Sequence, residues 1–169
     1  WNQKTVFYDE SARIPFIISW KGRTPKGTSD VLLNAGIDVI PTLCDFAGID
    51  APAGSPGKSL KAAALGKVSD WKRSFVVVQN HMIQCEEVDG RHLEPHGRMV
   101  RSDRFKYCLY SEGQHRESLI DMVKDPGETV NQAKNPAYQD ALKVHRAFLM
   151  EHAKRHKDST ALEMVQHVQ

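Results

Sequence analysis

Two runs of β-branched and aromatic residues, Arg13-Ile-Pro-Phe-Ile-Ile-Ser-Trp20 and Phe75-Val-Val-Val78, constrain the fold more than any other feature of the chain. Their apolar residues follow one another almost without polar interruption. A strand with one wet face alternates apolar and polar side chains, so an unbroken run predicts a strand covered on both faces, as in a parallel sheet flanked by helices. The first run is closed by Lys21-Gly-Arg-Thr-Pro-Lys-Gly27, a loop by composition. Such a strand needs neighbours on both sides.

Between the two runs, Ile37, Ile40, Leu43, Cys44 and Ala47 recur at helical spacing, and Gly48 stands where a left-handed cap ends a helix. Pro41 lies inside this pattern. A helix starting near Asp38 would hold Pro41 in its first turn, where its missing N–H costs nothing. Residues 49–66, rich in Gly and Pro, read as a wandering loop, and residues 74–79 as the second strand. A polar stretch, residues 80–97, then carries His81, His92 and His96. It is long for a structureless connection, which makes it a functional candidate. Residues 98–102 and 105–110 flank Asp103-Arg104 in the pattern of an antiparallel hairpin, and residues 119–122 suit one more short strand. Asp125-Pro-Gly-Glu128 is a turn. Asn135 caps a helix with Pro136 at its first position, and Tyr138, Leu142, His145 or Arg146, Leu149 and Ala153 form its apolar face. Residues 157–169 are helical or frayed.

Composition excludes more than it selects. The 169 residues are 40% hydrophobic and 26% charged, enough for a genuine core, and 23 Lys and Arg against 21 Asp and Glu leave no basic field for nucleic acid. No apolar run approaches the roughly 20 residues that span a bilayer, so no membrane is expected as a partner. Cys44, Cys85 and Cys108 cannot all pair with one another, and a disulfide framework is not expected. A first residue of Trp rather than Met leads us to expect that polypeptide preceded it.

Lys4-Thr-Val-Phe-Tyr8-Asp-Glu-Ser-Ala-Arg13-Ile-Pro15-Phe resembles the stretch that sulfatases carry just after a metal-binding Asp-His or Asp-Asn pair. Ile37-Asp-Val-Ile-Pro-Thr-Leu-Cys-Asp-Phe-Ala-Gly-Ile49 is similar to the family's I-D-x-x-P-T-L-x-x-x-A-G-I helix, and residues 55–60 to its G-x-S-L. Arg98 to Tyr107 resembles the R-x-x-R-x-x-x-x-K-Y hairpin. Leu119-Ile-Asp-Met, Asp125-Pro-Gly-Glu128 and Asn131 resemble L-Y-D-L followed by D-P-G-E and N. The blocks agree in order and spacing from Lys4 to about Leu149. The chain is thus identified as the C-terminal portion of a formylglycine-dependent sulfatase of the alkaline phosphatase superfamily.

The resemblance implies a sulfuric ester hydrolase that uses a calcium ion and formylglycine, acts on a sulfate ester such as a sulfated sugar, and resides in the periplasm, outside the cell or in the lysosome. The family's Cys-x-Pro-x-Arg signature and acidic metal cluster have no counterpart in this sequence. Their ligands are therefore expected outside this chain, which alone should not turn over a sulfate ester. Ile120 replaces the usual Tyr, a change of packing.

Sulfate ester cleavage needs an oxygen nucleophile on sulfur, positive charge against the sulfonyl oxygens and a proton for the leaving alcohol. The resemblance places Lys4 against the sulfate as the catalytic cation, and a compact ammonium suits a tetrahedral oxyanion; the bland alternative is a solvated loop lysine. His96, His92 and His81 fall where family members line the substrate pocket, and imidazoles hydrogen-bond sugar hydroxyls or a carboxylate and can be charged near neutral pH. His96 is the first choice because it directly precedes a hairpin strand. A rival use of the same stretch is zinc, through His81, Cys85, His92 and His96, although their spacing is not that of a standard finger. Arg98 and Arg101 should face opposite sides of their strand and form no anion clamp. Arg13 should anchor the chain by pairing with a carboxylate, Glu10 or an acid in the polypeptide expected upstream. The cations Lys154, Arg155, His156 and Lys157 close a helix and complement its dipole.

The expected fold is α/β: the edge of a large mixed sheet with a flanking helix over residues 1–73, the C-terminal end of a catalytic domain, then over residues 74–169 a small antiparallel sheet packed by a C-terminal helix. An unpaired apolar edge from Ile14 to Ser19 would favour an oligomer or a companion chain. Besides the sulfatase, the sequence admits a phosphodiesterase or phosphonate hydrolase of the same superfamily, or a non-catalytic module that binds a glycan or a protein.

Overall fold

A computed structural model describes residues 5–83, 87–88 and 90–168. In chain order the elements are α1 (Asp9–Ala12), α2 (Ala35–Ala47), α3 (Lys61–Ala64), β1 (Val76–His81), β2 (Glu87–Val88), β3 (Arg91–His92), β4 (His96–Arg101), β5 (Phe105–Tyr110), β6 (Glu117–Asp121), α4 (Gln139–His156) and α5 (Ser159–Gln166). The chain forms two compact units, Trp1–Ile14 together with Val77–Gln169, and Pro15–Val76. The mixed α/β class, with a small sheet and a C-terminal helix, is as expected.

In the Pro15–Val76 unit, α2 begins three residues earlier than its apolar spacing suggested. Asn34 caps it by accepting the Gly36 N–H, and Gly48 ends it at φ 74°, as anticipated. Pro41 therefore lies well inside the helix, not in its first turn. It lacks the N–H that would have bonded the Ile37 carbonyl. Gly57 packs against that same carbonyl, so closely that a Cβ there would sit 1.8 Å from the oxygen. Only glycine permits the approach.

Asp38 organises this unit. Its side chain is fully buried and accepts hydrogen bonds from the backbone N–H of Asn34 (2.7 Å) and Lys58 (2.9 Å) and from both terminal nitrogens of Arg73 (2.5 and 2.8 Å). One turn on, the Thr42 hydroxyl donates to the Asp38 carbonyl and accepts the Leu60 N–H. Leu60 itself is buried. The Asp38 and Thr42 positions of one sequence block thus hold the Gly57-Lys58-Ser59-Leu60 block.

Residues 13–20 correct one expectation. They are assigned to no strand, and Ile14 and Ile17 are 56% and 86% exposed. Apolar character supplies the faces of a strand but not its hydrogen bonds, and no strand among the described residues offers them. The argument for self-association through an open edge at residues 14–19 loses its premise. Arg13, expected to pair with a carboxylate such as Glu10, is exposed and enters none of the ion pairs among the described residues.

In the other unit, β1, β4, β5 and β6 form a four-stranded sheet in that order. β4 pairs antiparallel with β5 (Met99 opposite Cys108, Val100 opposite Tyr107), and β5 with β6 (Tyr107 opposite Leu119). β5 is central and covered on both faces, which is why its interior residues are buried without alternation. One face carries Arg98, Val100, Leu109, Tyr107 and Leu119. It meets α4 and α5, which contribute the buried Leu142, Leu149, Ala153, Ala161, Met164 and Val165. Arg98 reaches Asp158 at the start of α5 (2.6 Å), while Arg146 of α4 joins Glu117 of β6 (2.6 Å). Arg104 pairs with Asp121. The arginines of the hairpin region therefore include two braces, and Arg98 and Arg101 lie on opposite faces as the strand period requires.

The second face carries Gly97, Met99, Lys106 and Cys108. Here Phe7 is buried against Met99 and Cys108, and its ring stacks on Tyr110 at 5.7 Å. Asn131 closes the outer edge, accepting the Leu119 N–H and donating to the Glu117 carbonyl. The helix start is as read from sequence: Asn135 accepts the Ala137 N–H, and Pro136 opens a single 3-10 turn that runs into α4.

Candidate functional site

β1 runs three residues further than the apolar run, so that His81 is its last residue, while His96 is the first of the neighbouring β4. This adjacency brings together two histidines separated by fifteen positions in sequence. Their rings stack, 4.1 Å between centroids and 13° from parallel. His96 is fixed through its backbone, its N–H donating to the Ser111 hydroxyl (2.9 Å) and its carbonyl accepting the Ser111 N–H (2.8 Å).

Between the strands, β2 and β3 form a small antiparallel hairpin with Glu87 opposite His92 and with Gly90 at φ 72° in the turn. The chain then returns through Leu93, Glu94 and Pro95, whose carbonyl accepts the Met82 N–H (2.9 Å). Glu94 is the residue that sequence reasoning missed. One carboxylate oxygen lies 3.3 Å from His81 Nε2 and the other 3.9 Å from His92 Nε2. A signal was present: His92, Glu94 and His96 alternate, and alternate residues of an extended segment share a side. All four side chains gather at one corner of the sheet, and those of His81, His92 and Glu94 stand about half exposed.

Lys4, the expected catalytic cation, lies outside the described residues, and so does Cys85 of the zinc reading. Among the described residues, no group of three or more His, Cys, Asp or Glu side chains is placed to hold a metal ion. The stretch that begins at Thr5 is nonetheless well held. Asn80, which precedes His81, donates its side-chain N–H to the Thr5 carbonyl (2.6 Å). Gly97, which follows His96, has no room for a side chain: a Cβ would meet Asn80 Oδ1 at 2.3 Å, Phe7 at 2.7 Å and Tyr110 at 2.9 Å. The two strand positions bearing the stacked histidines are thus each next to a residue that touches residues 5–7.

The other groups that could do chemistry serve structure. Burial pushes the Cys108 thiol up to about 12, so it supplies no thiolate at neutral pH. His145 is buried, with one ring nitrogen 2.9 Å from the Ser102 hydroxyl and the other 2.7 Å from the Ala141 carbonyl. Burial lowers its proton affinity, the Ala141 contact opposing. What remains at the exposed corner is a set of imidazoles and one carboxylate that can donate to and accept from hydroxyls, with edges suited to a sugar or a small anion.

The family described as "N-sulphoglucosamine sulphohydrolase, C-terminal" matches residues 1–156. The chain is 40% identical over 154 residues to a delta 4,5-hexuronate-2-O-sulfatase of Bacteroides thetaiotaomicron, covering 90% of this chain and 31% of that protein. It is 28% identical over 162 residues to an N-acetylglucosamine-6-O-sulfatase of the same organism, covering 94% and 28%. A crystal structure from Bacteroides thetaiotaomicron, described as a sulfatase, superposes with a TM-score of 0.78 at 40% identity over 90% of this chain and 32% of that one. The chain spans about a third of the length of the relatives it matches.

Proposed function

The chain belongs to the sulfatases of the alkaline phosphatase superfamily, as the C-terminal portion of one, and on that premise we propose that the protein hydrolyses a sulfate ester of a carbohydrate. In this reading Lys4 lies against the sulfonyl oxygens, where its charge follows the growing negative charge of the transition state. His96, His81 and His92 line the sugar side of the pocket. The observation that carries it is the stacked His81 and His96 pair, bridged through Glu94 to His92, beside the anchored stretch that begins one residue after Lys4.

The named relatives act on a sulfated hexuronate and a sulfated hexosamine, and a sulfated sugar of that kind is the substrate class we assign here. Hydroxyls and a uronate carboxylate both offer hydrogen-bonding partners to imidazoles. A phosphodiester or phosphonate substrate has less behind it, since the curated relatives bear sulfatase names, while the phosphonate monoester hydrolases it resembles in fold share only 22% and 21% identity. Family membership also leads us to infer a calcium ion and a formylglycine; when bound, the ion would supply positive charge for the sulfate and the formylglycine an oxygen nucleophile. The described residues do not furnish such a metal site; this chain alone would then be inactive. A sulfated-glycan substrate fits a periplasmic, secreted or lysosomal enzyme.

The test compares His96→Ala and Lys4→Ala in the complete sulfatase polypeptide on a sulfated disaccharide and on a small aryl sulfate. We expect His96→Ala to lower kcat/KM for the disaccharide about tenfold or more, mainly through KM, and to leave the aryl sulfate alone. Lys4→Ala should lower kcat on both by more than about tenfold. Unchanged disaccharide kinetics would remove the histidines from the pocket, and unchanged turnover would remove Lys4 from the sulfate. Retained glycan binding with no hydrolysis by the parent protein would favour a binding module.

A further inference from the structure

We infer that Lys106 is a positioning residue for the active site: with Glu128 it clamps the stretch following Lys4, and so sets where the Lys4 ammonium stands relative to the sulfate. This rests on the reading of Lys4 given above. Lys106 sits on the central strand and is 1% exposed. An ammonium has three donors, and here three acceptors surround it: the Phe7 carbonyl at 2.9 Å, Asp9 Oδ1 at 2.5 Å and Glu128 Oε1 at 2.7 Å. The Glu128 oxygen also accepts the Asp9 N–H at 2.7 Å. Glu128 reaches this point from a backbone conformation of φ 56°, unusual for a residue with a side chain, at the end of the Asp125-Pro-Gly turn.

The placement of these contacts matters more than their number. Together with Asn80 on the Thr5 carbonyl, they fix the backbone at residues 5, 7 and 9. The Phe7 ring locks the same stretch by packing against Gly97 and Tyr110. Residues 5–9 therefore have little freedom to translate along the sheet. A surface brace could have been built from any exposed ion pair. A buried cation with two of its three donors committed to one short segment, and the third to the Glu128 carboxylate that also holds the Asp9 N–H, instead defines that segment's register, and errors of an ångström at a reacting centre cost large factors in rate.

A merely stabilising role and a positioning role differ in how Lys106 combines with Lys4. The experiment is a double-mutant cycle in the complete sulfatase polypeptide with Lys4→Ala, Lys106→Met and the pair together. It measures kcat and KM on one sulfate ester, with circular dichroism confirming the fold of each variant. We expect Lys106→Met to lower kcat by the order of tenfold to a hundredfold when Lys4 is present, with KM little changed. It should lower kcat by about twofold or less when Lys4 is already Ala. Should Lys106→Met not fold, Asp9→Asn takes its place in the same cycle, since it keeps an acceptor for the ammonium and loosens the clamp.

Equal factors in both backgrounds would overturn the inference while leaving Lys4 in its role. So would a folded Lys106→Met protein with normal kcat. A Lys4→Ala protein of normal activity would overturn the Lys4 reading itself, and this inference with it. The outcomes separate the two failures.

Discussion

Asp38→Asn is the substitution whose cost the structure fixes most tightly. The two carboxylate oxygens each accept two hydrogen bonds, Oδ2 from Asn34 N–H and one Arg73 nitrogen, Oδ1 from Lys58 N–H and the other. An amide replaces one oxygen with a donor, and whichever way it flips that donor faces two donors. Two hydrogen bonds to a charged group are lost at about 1.5–3 kcal/mol each, and Arg73, largely buried, is left without its counter-charge. The expected cost is about 3–5 kcal/mol. With a urea slope of about 2 kcal/mol/M, that moves the unfolding midpoint down by roughly 1.5–2.5 M. Trp71 is the natural probe, because its indole N–H donates to the Leu32 carbonyl and the Arg73 guanidinium stands 5.0 Å from its ring; replacing Trp1 and Trp20 with Phe leaves it the one tryptophan of these 169 residues. The control is Asp45→Asn, whose pair with Lys61 is partly exposed and should be worth about 1 kcal/mol or less. Equal shifts in the two variants would refute the argument. Acid supplies a second check. Burial alone would raise the Asp38 carboxyl, but Arg73 and the two backbone donors outweigh it and hold the group below its ordinary 3.8. Its contribution is therefore complete above that value and lost as pH falls through the lower folded one. The stability of the Asp38→Asn protein should lack that part of the acid slope.

Gly97→Ala should destabilise by about 1–3 kcal/mol, read as a lowered calorimetric midpoint, because the new methyl meets Asn80, Phe7 and Tyr110 at once. A neutral result would show that the contact between residues 5–7 and the sheet is loose. Cys108 should resist a thiol reagent at pH 8 in the folded protein and react only in denaturant, since burial lifts its thiol to about 12. With Cys44 and Cys85 replaced by Ala, rapid native labelling would contradict that burial.

Much of the fold could be read from sequence wherever a local cause decides it. The β4–β5 hairpin follows from two apolar runs around Asp103-Arg104, the end of α2 from Gly48, and the entry to α4 from Asn135 and Pro136. Expectations failed where the cause is distant. Residues 13–20 have the composition of a buried strand, yet a strand exists only with a hydrogen-bonding neighbour, and none of the described strands supplies it. α2 starts early because Asn34 and the Asp38 side chain organise its first turn, a device invisible to a search for apolar spacing. At the site, the polar stretch and its histidines were legible, but their convergence was not. His81 meets His96 because β1 lies beside β4, a pairing across residues 82–95 that no local pattern announces. Glu94 was missed for the same reason, its role appearing only once both imidazoles stand near it.

The sequence blocks that betray the family and the residues proposed to meet the substrate lie in different places, and the structure explains why. Asp38 and Thr42 of one block receive the Lys58 and Leu60 N–H of the next. Lys106 of the hairpin block receives Asp9 from the first block and Glu128 from the Asp-Pro-Gly-Glu turn. Asn131 binds the strand that precedes it. Each block is recognisable because its polar residues are buried against another block, where substitution of either partner leaves an unpaired group in the interior. Among the described residues, the stretch from His81 to His96 carries no such obligation. His81, His92 and Glu94 stand half exposed, and Ser111 grips only the main-chain atoms of His96, through its own hydroxyl and N–H. Side chains there can change while the sheet stays put. On the function proposed above, a fold that fixes its strands through buried pairs and leaves the proposed pocket wall to exposed side chains would keep a single sulfate chemistry while accepting different sugars.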